Sequence, residues 1–114
     1  MKKAYRIKDQ EEFAAIFKHG KTAANRQFVI YVLDKPDQQH FRVGFTVGRK
    51  VGNAVTRNYL KRWMRELMRA HADQIEQDKD YVLIARKALL SMDYEAAGKS
   101  LKHVLKRAEV WRKC

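Results

Sequence analysis

The sequence predicts an α+β domain: helices packed on one mostly antiparallel sheet. Three observations point that way. Phe28 to Leu33 and Phe41 to Val47 are rich in β-branched and aromatic residues and read as strands on either side of a proline turn. Three segments, opening near Asp9, Asn53 and Asp93, repeat their apolar residues at helical spacing. Tyr81 to Ala85 is a nearly unbroken apolar run, the pattern of an internal strand. With 114 residues, no repeat and no Gly/Ser-rich linker, residues 1–114 are expected to close around one core as a single domain.

Taken in order, Asp9 with Glu12 three residues on is the capping-box pattern. It opens a first helix with Phe13, Ile16 and Phe17 on one face and Gly20 as its stop. The two strands that follow are expected to pair antiparallel across Asp34-Lys35-Pro36-Asp37, with Gly44 and Gly48 as candidate bulge or bend positions. A second helix starts at about Asn53. The acid-rich stretch Asp73 to Asp80 reads as a loop or frayed turn before the internal strand. Asp93 caps a third helix. Its apolar stripe is Ala97, Leu101, Val104, Leu105 and Ala108, with Lys99, Lys102, Lys106 and Arg107 outward. The order is helix, strands, helix, strand, helix. A strand-helix-parallel strand unit crosses over right-handed in about 98% of cases, and the residues themselves give no reason to depart from that.

The second helix carries the functional signal. At roughly 100° per residue, Arg57, Asn58, Lys61, Arg62, Arg65 and Arg69 fall within an arc of about 140°, while Leu60, Trp63, Met64 and Leu67 occupy about 100° elsewhere. From Arg49 to Arg69 there are seven Lys or Arg and one acid, Glu66, so pairs at helical spacing cannot neutralise the charge. The whole chain has a net charge of +12, from 25 Lys and Arg against 13 Asp and Glu, which calls for a polyanion as partner. A membrane surface fits less well than nucleic acid. Asn58 and Glu66 interrupt the cationic face, the Trp63/Leu67 stripe suits a core, and no apolar run approaches ~18 residues.

An enzymatic reading finds no foothold. His19, His40, His71 and His103 are scattered, and none lies in a recognisable acid/base motif. The densest carboxylates, Asp73, Glu76, Asp78 and Asp80, lie in a polar connection away from the basic stretch rather than in a two-metal arrangement. No catalytic residue is assigned, and metal ligands are left unknown. The single cysteine, Cys114, excludes an intramolecular disulfide and argues against a zinc site. Residues 1–20 hold Asp9, Glu11 and Glu12 and no signal-like apolar stretch, so a cytoplasmic protein is expected.

Gly52-Asn53-Ala54-Val55, then Arg57-Asn58, Lys61-Arg62 and Arg65-Glu66, resemble the signature of the bacterial ribonuclease P protein subunit. Glu12-Phe13, Phe17-Lys18-His19-Gly20, Ala24-Asn25-Arg26-Gln27-Phe28, Tyr81 to Arg86 and Lys99-Ser100-Leu101 resemble the same family, in the same order. The resemblance implies a protein that binds a large catalytic RNA and helps it remove the 5′ leader of precursor tRNA. It also implies a left-handed crossover through the basic helix. The family's basic motif falls on Arg57, Asn58, Lys61, Arg62 and Arg65, and the loop before it on Lys50, Gly52 and Asn53; Arg49 and Arg69 extend the same charge. The family's leader cleft falls on Phe13, Phe17 and Tyr31, although phenylalanines spaced four apart on a helix would otherwise read as core. Partners would be the catalytic RNA and precursor tRNA, with neither DNA nor membrane. Mg²⁺ would serve the RNA-based hydrolysis without being held by protein ligands alone. The competing reading is a ribosomal or general RNA-binding protein with no role in cleavage. A helix-turn-helix DNA reader is disfavoured by the β-rich blocks around the basic helix.

Overall fold

The computed structural model describes residues 5–112, so the reading of Cys114 lies outside the described residues. The chain forms α1 (Gln10–His19), β1 (Lys21–Ala24), β2 (Phe28–Asp34), β3 (Arg42–Val47), α2 (Ala54–Ala70), β4 (Lys79–Ala85) and α3 (Tyr94–Arg107), with 3₁₀ turns at Ala72–Gln74 and Lys87–Ser91. The α+β class is the one expected, and the four strands make one sheet in the order β1-β2-β4-β3. One face of the sheet, with Phe28, Ile30, Tyr81 and Leu83, lies in the main core with Leu60, Met64, Leu67, Leu101 and Val104 from α2 and α3. The other face, with Tyr31, Leu33, Val82 and Ile84, packs with Ile7 and with Phe13 and Ile16 of α1. The result is a three-layer sandwich.

The expected antiparallel pairing of Phe28–Leu33 with Phe41–Val47 does not occur. β4 lies between them, antiparallel to β2 from Phe28↔Ala85 to Asp34↔Lys79 and parallel to β3 from Arg42↔Asp80 to Val47↔Ala85. The physical reason is burial. Asp80, Tyr81, Val82, Leu83 and Ala85 are all buried, so at an edge this strand would keep a row of backbone donors and acceptors unpaired away from water. Residues 35–41, too long for a tight hairpin, cross the roughly 10 Å of two strand spacings instead.

Three further expectations change. The register through Gly44 is unbroken, so there is no bulge there; Gly44 is where Phe13 lies on the sheet, and a Cβ would stand 2.3 Å from the Phe13 Cζ. Gly48 does open a bend, its carbonyl accepting from the Val51 amide at 3.1 Å. β1 was not expected at all. Its four residues, Lys-Thr-Ala-Ala, carry little strand signal, and it is held by pairing with β2 from Lys21↔Val32 to Ala24↔Val29. Asn25 closes that hairpin, its Oδ1 accepting from the amides of Gln27 (3.0 Å) and Phe28 (2.8 Å), while its Nδ2 donates to the Ser100 carbonyl of α3 (2.9 Å).

The Asp73 to Asp80 stretch is not wholly a loop. It begins as a 3₁₀ turn and ends inside β4, where Asp80 is 1% exposed. A carboxylate buried so deeply needs a cation, and Arg42 on β3 supplies one as a fork: Nε donates to Oδ1 at 3.0 Å and Nη2 to Oδ2 at 2.6 Å. The same Nη2 also donates to Glu12 of α1. These bonds, to Asp80 first and then Glu12, raise the Arg42 guanidinium above its ordinary pKa, against the opposing effect of burial. Asp9 still caps α1, accepting from the Glu11 amide at 3.0 Å, but Glu12 turns to Arg42 instead of completing the box.

Arg42→Ala is expected to destabilise the fold by about 3 to 5 kcal/mol, because it leaves Asp80 as an uncompensated buried charge. Arg42→Lys should recover only part of that, since an ammonium cannot make the fork. Urea unfolding checks both, and an alanine variant as stable as the parent would refute the role.

Candidate nucleic-acid interface

Asn53 and Gly52 set the start of α2. The Asn53 Oδ1 accepts from the Thr56 amide at 2.9 Å, and a Cβ on Gly52 would lie 2.8 Å from the Thr56 Cγ2, so both have local structural work. No acid stands in the first turn, which leaves the positive end of the helix dipole unopposed within the helix.

The buried stripe of α2 is Leu60, Met64, Leu67 and Met68. Compared with the expected stripe it gains Met68 and loses Trp63, a rotation of about 40° at helical spacing. That rotation has consequences on both flanks. Trp63 becomes only half-buried, while Arg57, Lys61 and Arg65 are drawn down to half-buried positions at the edge of the core. Arg49, Lys50, Asn53, Asn58, Arg62 and Arg69 are exposed. Among the described residues, the ion pairs involve Arg42, Lys79 and Lys99, and none of the cations from Arg49 to Arg69. The Nε atoms of Arg57 and Arg65 are buried and have no hydrogen-bond partner. Unsatisfied buried donors on charged groups are unfavourable.

The structure brings Phe13, Phe17 and Tyr31 together. Phe17, 44% exposed, stands edge-on to Tyr31, with ring centroids 4.9 Å apart at 85°, and Phe13 lies 6.5 Å from Phe17. Phe13 also lines a groove of about 100 Å³ with Arg6, Ile7, Gly44, Phe45, Lys61 and Arg65. This groove joins the two halves of the site. α1 and α2 lie on opposite faces of the sheet, and their side chains meet at β3, whose one neighbouring strand among the described residues is β4. Arg6 is an addition that nothing in the sequence distinguished; a backbone bridge to Val43 brings it there. Arg62, Arg65, Glu66 and Arg69 line a second, shallower depression.

Among the described residues no three His, Cys, Asp or Glu side chains gather where they could hold a metal ion. Three histidines have structural partners: His71 Nδ1 donates to the Leu67 carbonyl at 2.8 Å, the His40 ring stacks on Tyr5 at 4.2 Å, and His103 Nδ1 accepts from the Asn25 Nδ2 at 3.3 Å. No helix among the described residues is long and apolar enough to cross a membrane.

The profile of the Ribonuclease P family matches residues 1–109. The chain belongs to this family. It is 51% identical over 112 residues to the ribonuclease P protein component of Bacillus cereus strain G9842, covering 98% of this chain and 97% of that one. Among solved structures it resembles the RNase P protein of Staphylococcus aureus, with a TM-score of 0.87 and 44% identity over 96% of this chain and all of that one (100%). The RNase P protein of Thermotoga maritima matches with a TM-score of 0.81 at 36% identity, over 90% and 96% of the two chains. A chain trace that agrees this closely shares the family's hand of crossover in β3-α2-β4, which the resemblance gives as left-handed. In this chain the Ala24 to Phe28 block that helped mark the family is a structural element, the closed β1-β2 turn anchored on α3.

The two faces of α2 should separate in mutants. Leu60→Ala is expected to cost about 2 to 5 kcal/mol, as a fully buried leucine. Arg65→Ala should change stability by about 0.5 kcal/mol or less, since it removes an unsatisfied donor and no ion pair. Thermal melts that rank Arg65→Ala as the more damaging change would contradict this assignment of faces.

Proposed function

We propose that the chain binds the catalytic RNA of ribonuclease P and the single-stranded 5′ leader of precursor tRNA, and so assists endonucleolytic removal of that leader. The observation that carries this reading is the groove shared by unpaired Lys61 and Arg65 and by Phe13. A leader strand needs both kinds of group: cations for its phosphates and ring faces or edges for its unpaired bases. A ribosomal or general RNA-binding protein would need the cations but not the exposed Phe17 with the half-buried Tyr31 edge-on to it. On this reading Arg57, Asn58, Lys61, Arg62, Arg65 and Arg69, with Arg49, Lys50, Gly52 and Asn53 before them, contact RNA, and Phe13, Phe17 and Tyr31 contact the leader. Arginine suits the phosphates because its planar fork bonds them in pairs, and the asparagines offer neutral donors and acceptors to sugar or base edges.

The hydrolysis is assigned to the RNA partner. Bound to that RNA, Mg²⁺ would supply an activated water and charge stabilisation for phosphodiester cleavage. The chain's own contribution is positioning and neutralisation of backbone charge, in the bacterial cytoplasm where tRNA is processed. Such neutralisation matters most when Mg²⁺ is scarce.

Two measurements test the proposal. Added to a ribonuclease P RNA at low Mg²⁺, the protein should raise precursor cleavage while cleaving nothing alone; robust cleavage by RNA-free protein would remove the RNA from its assigned role. Phe17→Ala, once shown by circular dichroism to be folded, should weaken binding of precursor tRNA roughly fivefold or more and leave mature tRNA nearly unaffected. Equal weakening of both would take Phe17 out of the leader site.

A further inference from the structure

The rotation of α2 that half-buries Arg65 on one flank turns an aromatic group outward on the other. Tyr59 is 55% exposed and Tyr94, the first residue of α3, is 45% exposed, with the half-buried Trp63 between them. The Tyr59 and Trp63 rings are 5.7 Å apart and tilted by 36°; Trp63 and Tyr94 are 5.9 Å apart and nearly perpendicular, at 78°. None of the three rings belongs to the leader groove. On the helix wheel Arg62 lies about 60° round from Tyr59, so the cationic ridge of α2 borders this group as it borders the groove on the opposite flank.

We infer that Tyr59, Trp63 and Tyr94 form a second stacking platform, for unpaired nucleotides of an RNA whose backbone follows the cationic ridge. The inference rests on the RNA-binding reading of α2. Trp63 packs against the main core and is thereby held in place, so little ordering remains to be done when a base arrives. Two neighbouring rings present edges and faces at different inclinations, which suits splayed bases better than an extended aliphatic surface. Asp93 and Glu95 flank Tyr94 in the chain and repel phosphate, whereas Glu66 sits among the cations of the ridge, in the depression of Arg62, Arg65 and Arg69. Phosphates are therefore placed along the Arg62/Arg69 side, and bases turn toward the rings.

Trp63 can report the contact itself. The chain has two tryptophans, so Trp111→Phe leaves Trp63 as the only indole. In that protein, with Phe17→Ala added to weaken the leader groove, a single-stranded oligoadenylate should quench Trp63 emission, and an abasic oligonucleotide of equal length and charge should not. Tyr59→Ala and Tyr94→Ala should each lower oligoadenylate affinity about fivefold or more. Equal quenching by the abasic strand, or unchanged affinity in both tyrosine variants while binding persists, would overturn the platform and leave the cationic reading standing. Failure of the unsubstituted chain to bind either strand would overturn both. Sedimentation covers the remaining case: self-association lost in the tyrosine variants, with oligoadenylate affinity intact, would assign the patch to contact between copies and refute a stacking role.

Discussion

Arg42 stands where three elements meet, and the geometry of the candidate interface depends on it. It belongs to β3, forks onto a buried carboxylate of β4 and holds Glu12 of α1. Charges removed from water are favourable only when geometry satisfies them, so Asp80 fixes Arg42 and Arg42 in turn fixes the start of α1. Phe13 follows Glu12 directly, and its place over Gly44 is therefore set by an ion pair on the preceding residue. Without that anchor the groove between Phe13 and the α2 cations would lose one wall.

The same arrangement explains why the site lies at one side of the sheet. Helices on opposite faces cannot normally share a cleft, because the sheet separates them. Among the described residues β3 has no strand beyond it, and the residue near its middle is a glycine, so an aromatic ring from one layer and cations from the other reach a common space. The N-terminal segment completes it with Arg6, bridged to the strand's outer side. Backbone that would otherwise be an exposed, pairing-prone edge is thus partly covered by the interface itself.

Much of this was legible in the sequence. The three helices, the aspartate caps of the first and third, the internal strand and the cationic set follow from spacing and residue type, whereas the aromatic set came only from the family resemblance. Strand neighbours did not. Periodicity reports burial, and a proline turn between two apolar runs looks the same whether they pair or are parted by a third strand arriving later in the chain. Asp80 was misread for a related reason: an acid among acids looks solvated until its partner, Arg42, far away in sequence, is brought beside it. On α2 the stripe was displaced because tryptophan is bulky and apolar yet tolerates an exposed edge, whereas Met68 lay just outside the set that seemed to close the stripe. β1 left almost no trace, since Lys-Thr-Ala-Ala takes its extended form from β2.

The position of β4 between β2 and β3 also bears on how the chain comes together during synthesis. Only the β1-β2 ribbon can assemble from what precedes β4, and a two-stranded ribbon is marginal by itself. β3 meets its strand partner β4 only when residues 79–85 follow, although α2 can already pack on β3. The nascent chain therefore presents its most cationic helix to an RNA-rich surrounding before the sheet beneath that helix is complete. Closure of the sheet is a late, long-range event of the kind that slows folding.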